Sequence, residues 1–236
     1  MTRKAILYII LYYFIAMAFK YVAVYIYPDI FLVSAEEYDF TPLFLGAGPL
    51  VGGLVLVYVF NRKNDISLFK TGFVDSLSFV FLVMLIFTGF SYYNTGEINF
   101  SIAKYVLFSI IYSAFEEYGW RGYLQTELKP LNKVLKYFII SIIWFFWHLE
   151  FDITWYGYLV ILLGSFGMGY VADKSKSLTY VAIFHSLVNL GLTTDMNSIT
   201  QKQKLIGVCI VAVAIILNMR FGRVIKIKLK TLLLKN

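Results

Sequence analysis

The stretch FEEYGWRG, Phe115–Gly122, decides how the chain is read. It closes an apolar run, IAKYVLFSIIYSAF, that begins at Ile102. A charged side chain facing hydrocarbon costs roughly 3 kcal/mol on insertion scales. Two adjacent acids, Glu116 and Glu117, with Arg121 four residues after the second, therefore mark one of two things. Either the helix has ended in water, or it lies inside a bundle that shelters the charges.

The composition makes a bilayer the surroundings. Of 236 residues, 60% are hydrophobic, 19% aromatic and only 15% charged, and mean hydropathy is +0.73. A soluble domain is nearer half apolar and a quarter charged. The net charge of +7 does not imply nucleic acid, because the basic residues cluster between apolar runs and at the C-terminus. The one cysteine, Cys209 in IGVCIVAVAII, excludes an intrachain disulfide and a Cys-rich metal site; it reads as a small apolar filler. The N-terminal MTRK followed by AILYIILYYFIAMAF is too long for a signal peptide and has no small-residue cleavage site, so it reads as a retained first span.

Apolar runs of spanning length, about 20 residues, predict helices at 5–27, 42–60, 74–94, 102–127, 134–151, 155–172, 177–194 and 204–221. The expected fold is all-α: a polytopic membrane protein of about eight transmembrane helices. It forms one domain over 1–236, with a chemistry-bearing core at 102–193. Short connections make neighbouring spans antiparallel. With the N-terminus in the cytoplasm, the inside segments carry Arg3, Lys4, Arg62, Lys63, Lys70, Lys129, Lys133, Lys136, Lys174, Lys176 and the basic tail from Arg223 to Lys235. The outside segments carry Asp29, Glu36, Glu37, Asp39, Glu97, Glu150, Asp152 and Asp195, with only Lys202 and Lys204. This positive-inside pattern places both termini in the cytoplasm of a cell-membrane protein. Gly48 and Gly52 form a GxxxG pair, and Gly164, Gly167 and Gly169 mark a second close helix contact.

The prominent polar residues well inside the spans are Glu116, Glu117, Arg121, His148, His185 and Asn189. They include both histidines of the chain. Glu117 and Arg121 stand at i, i+4 and can pair on one helix face. Glu116 is turned about 100° away and has Trp120, not a cation, at i+4. It needs a partner on another helix, or holds a proton. Alone, His148 in IIWFFWHLEF reads as an interfacial residue. His185 and Asn189 in AIFHSLVNLG, also at i, i+4, read alone as a helix-packing hydrogen bond. Converging in a bundle core, the four can activate water and stabilise an oxyanion. Glu116 and His148 would position and deprotonate the water, and His185 and Asn189 would donate to the developing charge. A second version has Glu116, His148 and His185 hold a divalent metal such as zinc. Ser186 points away from His185 and is not expected to be a nucleophile.

EEYGWRG fits EExxxR, WFFWH is close to FxxxH, and HSLVN fits HxxxN. In this order on separate membrane helices, they resemble the three motifs of the CPBP intramembrane protease family, also called Abi. That family includes the type II CAAX prenyl endopeptidases. The resemblance implies that Glu116 is the catalytic acid, that Glu117 and Arg121 support it, that His148 helps to activate water, and that His185 and Asn189 form the oxyanion site. One position departs from the pattern: Trp144 stands where the family has phenylalanine, and an aromatic packing role is expected to survive. The metal-free and metal-bound versions both stay open. The implied activity is hydrolysis of membrane-associated peptides, such as a bacteriocin or signalling precursor. The rivals are a non-proteolytic scaffold or bacteriocin self-immunity protein, and an ion-coupled transporter, against which there is no repeat symmetry.

Overall fold

The computed structural model describes residues 2–22, 41–149, 154–192 and 196–233, with side chains for all of these except 41–45 and 223–233. Eight helical segments run through them: α1 (Arg3–Tyr21), α2 (Thr41–Leu54, continued by a π-helical turn Val55–Val59), α3 (Phe73–Thr95), α4 (Phe100–Glu117, then π-helical Tyr118–Leu124 and a last turn Gln125–Glu127), α5 (Lys133–Trp147), α6 (Trp155–Ser175), α7 (Leu178–Leu192) and α8 (Gln201–Leu233). The one isolated β-bridge among the described residues joins Ser67 to Ser177. The protein is an all-α membrane protein. α1, α3, α6 and residues 201–222 of α8 are each long and apolar enough to cross a bilayer, and α2 and α7 are shorter apolar helices. Leu7, Ile10 and Phe14 on α1, Phe81 and Leu85 on α3, and Val213 and Leu217 on α8 face outward, as a lipid-facing surface requires.

Local chemistry sets the helix ends. Thr2, Asn99 and Asn132 accept backbone N–H bonds from Ala5, Ser101 and Leu135 at 3.2, 2.9 and 2.9 Å, meeting donors that a helix start leaves over. Gly96 ends α3 at φ +75°, a left-handed cap that suits glycine.

Successive helices alternate in direction. At one end, Arg62 pairs with Glu127 at 2.7 Å, Lys129 with Asp65 at 2.7 Å and Lys136 with Asp173 at 2.8 Å. There too the Ser67 amide donates to the Lys176 carbonyl at 3.1 Å. At the other end, Asn94 meets Gln203 and Ser198. The lysine- and arginine-bearing connections thus gather at one end, as the alternation of spans predicts. Of the acids expected opposite, Asp29, Glu36, Glu37, Asp39, Glu150, Asp152 and Asp195 lie outside the described residues, as do the side chains of the basic tail.

α4 is the central helix, packed against α2, α3 and α7, while α5 and α7 both pack on α6. Its contact with α2 is backbone to backbone: a side chain at Gly119 would strike the Pro49 carbonyl, as one at Gly48 would strike Ala16. The GxxxG reading of α2 holds, and the glycine of EEYGWRG does the same work from the other side.

Two expectations change. The fourth span is not α-helical throughout; it widens to a π-helix directly after Glu117, a feature frequent at functional sites. The sequence places Cys209 as a filler, yet it is exposed on α8, so it fills no interior space.

Candidate active site

Glu116, Glu117, Arg121 and His185 are 0%, 0%, 2% and 1% exposed. This excludes the reading in which the helix ends in water at Phe115. Glu117 binds Arg121 Nη1 through Oε1 at 3.1 Å. Arg121 Nη2 also donates to the hydroxyl and carbonyl of Ser165 on α6, at 2.8 and 3.2 Å. A lone buried charge is costly; a paired and hydrogen-bonded one is tolerated. The expected i, i+4 pair is present, and Ser165 completes it.

Glu116 is satisfied differently. Its Oε1 accepts from the Tyr112 hydroxyl at 2.6 Å and from Trp147 Nε1 at 3.3 Å, and its Oε2 accepts from Trp144 Nε1 at 3.1 Å. It finds its partners on a neighbouring helix and one turn back on its own, and every donor is neutral. Both imidazoles are near enough to interact with it electrostatically.

Trp144 joins these groups. Its ring lies 4.5 Å from that of His148 and 5.1 Å from that of His185, both edge-on. The Arg121 guanidinium sits 5.3 Å from its centroid. His148 caps the C-terminus of α5, and its Nδ1 is 2.8 Å from the Trp144 carbonyl. A carbonyl only accepts, so Nδ1 carries a hydrogen.

His185 Nδ1 lies 2.8 Å from Glu117 Oε1. The approach is off the axis along which the ring N–H donates, and Nδ1 makes no hydrogen bond there; the contact is one of proximity and charge. Asn189 follows one turn later on α7 and is half-buried. Ser186 donates to Ser109 Oγ at 3.0 Å, a packing bond between α7 and α4.

Sequence reasoning missed Tyr112, Trp147, Ser165 and Lys20. Tyr112 had a signal, since it precedes Glu116 by four residues. Lys20 had one too, as a cation late in the first span. It is buried, donates to the Trp147 carbonyl at 3.0 Å and lies 4.6 Å from that indole, so it complements the C-terminus of α5. Trp147 and Ser165 had none, because their roles depend on which helices pack.

Among the described residues, no three His, Cys, Asp or Glu side chains are grouped to hold a metal ion. Glu116 meets N–H and O–H donors on both oxygens, and His185 turns Nδ1 to Glu117. As arranged, Glu116, His148 and His185 do not fit a preformed zinc site.

Residues 98–191 match the family described as type II CAAX prenyl endopeptidase Rce1-like. This interval, against an expected core of 102–193, holds both glutamates, Arg121, Trp144, both histidines and Asn189. The chain is also 36% identical over 135 residues to CAAX prenyl protease 2 of Methanococcus maripaludis, covering 48% of this chain and 49% of that one. Both matches make the chain similar to type II CAAX prenyl endopeptidases over the part that bears its polar core. The chain spans about half the length of the curated relative it matches. The family match begins just before α4 and ends within α7, so it contains the polar core and leaves out α1–α3 and α8.

Proposed function

We propose that this chain is an intramembrane endopeptidase that hydrolyses a peptide bond of a membrane-associated substrate by direct attack of water. The observation that carries the reading is Glu116: an acid fully buried in the bundle, hydrogen-bonded among the described residues only to neutral donors, beside two imidazoles. Glu116 and His148 Nε2 hold a water between them. As its oxygen bonds to the scissile carbonyl carbon, one proton passes to this pair and the carbonyl electrons move to oxygen. His185 and Asn189 donate to that oxyanion. Collapse breaks the C–N bond, and the stored proton leaves on the amine. The Glu117–Arg121–Ser165 pairing holds α4 against α6 and takes no part in proton transfer.

The proposed substrate is a membrane-bound peptide such as a bacteriocin or signalling precursor, and the proposed setting is the cytoplasmic membrane with both termini inside. The test is cleavage of a membrane-peptide library by purified protein, read by mass spectrometry, for wild type, Glu116→Gln and His148→Ala, with and without a chelator. Cleavage by wild type alone, unaffected by chelator, is expected. Loss of activity in chelator with recovery on added zinc would replace the metal-free route by a metal-bound one. Rescue of a deletion phenotype by both inactive variants would replace proteolysis by a scaffold or immunity role.

A further inference from the structure

We propose that Oε2 of Glu116 is the atom that takes the proton from water, and that the Trp144 indole is the positioning residue that aims it. This rests on the endopeptidase reading. A carboxylate offers about four lone-pair directions. Oε1 spends both of its own on the Tyr112 hydroxyl and Trp147 Nε1, at 2.6 and 3.3 Å. Oε2 spends one, on Trp144 Nε1 at 3.1 Å, and keeps one. The indole that binds Oε2 is also the ring against which His148 and His185 both pack. The remaining lone pair therefore belongs to the oxygen bound by the indole on which both imidazoles pack.

Trp144 is itself fixed. It is 1% exposed, held between two histidines, with Arg121 over its ring. Its N–H can hardly move without moving all three. Tryptophan at this position gives what phenylalanine cannot, an N–H for the carboxylate. In the reaction, the water O–H bond breaks as the proton reaches Oε2 and the oxygen bonds to carbon. Oε2 returns that proton to the departing amine, so the carboxylate is regenerated with its three donors unmoved. A base held in one orientation throughout avoids reorganisation at the moment of transfer.

The experiment compares Trp144→Phe and Trp147→Phe in the purified full chain in detergent, each checked for folding by thermal melt. Trp144→Phe removes the single donor on Oε2 and is expected to lower kcat about tenfold or more, the scale of a hydrogen bond to a charged group, with KM changed less than about twofold. Trp147→Phe leaves Tyr112 on Oε1 and costs less. Unchanged kcat in Trp144→Phe would show that the indole positions nothing. An equal or greater loss in Trp147→Phe would move the base to Oε1.

A second readout needs no substrate. The chain has four tryptophans, so indole labelling with nitrogen-15 gives four N–H signals, assigned by single substitution. Glu116→Gln should shift those of Trp144 and Trp147 and leave Trp155 in place. No shift would refute the hydrogen bonds and the proposal with them. Shifts as expected, with no peptide cut by wild type, would overturn the endopeptidase reading and the base assignment while leaving the indole contacts standing.

Discussion

Glu116 and Asp173 are both acids drawn into a helix bundle, and they are treated in opposite ways. Asp173, near the basic end, accepts from Lys136 Nζ at 2.8 Å, the Tyr137 hydroxyl at 2.6 Å and Gln125 Nε2 at 3.0 Å, with Lys176 Nζ at 3.4 Å. It borders a cavity of about 360 Å³ lined also by Arg121 and Lys129, large enough to admit water. Among the described residues Glu116 has no cation bonded to it, only one phenol and two indoles. Where the fold needs a charge merely held, as at Asp173 and Glu117, it gives the charge a counter-ion. Where a charge must act on a proton, it withholds the counter-ion and supplies neutral donors, which orient the carboxylate without pairing off its charge. Arg121 and Gln125, one turn apart on α4, are the seam between the two regimes.

The largest effect should come from breaking the unpaired side. Glu116→Gln keeps the shape and an acceptor for the indoles but removes the base. Cleavage should fall by about 10³-fold or more, near the upper range for a general base, with little change in melting temperature. A retained rate above a tenth of wild type would place the chemistry elsewhere.

The paired acid of the same core should fail in the other direction. Arg121→Met leaves Glu117 buried without its cation, which costs about 3–5 kcal/mol, or a drop of roughly 10 °C in the melt. Adding Glu117→Gln to that variant removes the orphaned charge and should recover more than half of the loss. If the double variant melts no higher than the single one, Glu117–Arg121 is not the pair that stabilises this core.

Much of this was legible beforehand because helix periodicity is local. The eight helices follow from runs of apolar residues and the loop charge between them. The Glu117–Arg121 pair follows from i, i+4 spacing alone. The partners of Glu116 did not follow, because an indole N–H on α5 reaches α4 only after the two helices choose a rotation and a level. Trp144 reads from sequence as a packing residue standing for phenylalanine; its N–H mattered only once it met Oε2. His148 reads alone as an interfacial residue; its packing on the Trp144 ring shows only in the folded bundle. The π-helical turn after Glu117 carries no pattern that separates it from an ordinary helix, since its residues are those a buried α-helix also uses.

At the basic end, Asp173→Asn should have a smaller effect than Arg121→Met. It removes a charge whose partner Lys176 is exposed and whose partner Lys136, though buried, borders the same cavity, so neither cation is enclosed as Glu117 would be. A loss of about 1–3 kcal/mol, the scale of one hydrogen-bonded charge, is expected in the melt. Cleavage should stay within about threefold of wild type. A hundredfold loss of activity would mean that the cavity at this end belongs to the reaction and that the two regimes are one.

The smallest effect tests the same contrast at its outer edge. Arg62 grips Glu127 with two bonds, Nη2 to Oε1 at 2.7 Å and Nε to Oε2 at 3.1 Å. Its side chain is 32% exposed, against 4% for Glu127. The hydrogen bond to Glu127 holds the guanidinium above the ordinary arginine value. A raised folded value contributes stability at every pH below the unfolded one and loses it only as pH rises through the folded one. Both lie far above neutrality, so this pair should add no slope to a melt series between about pH 6 and pH 9. Arg62→Lys keeps the charge but not the fork. It should lower the melting temperature by about 2 °C at low salt and by less at high salt, as screening predicts for a half-exposed pair, with kcat unchanged. Should the loss instead exceed that of Arg121→Met, the counter-ion at the rim would matter more than the one in the core, and the comparison between a sheltered centre and a solvated end would fail.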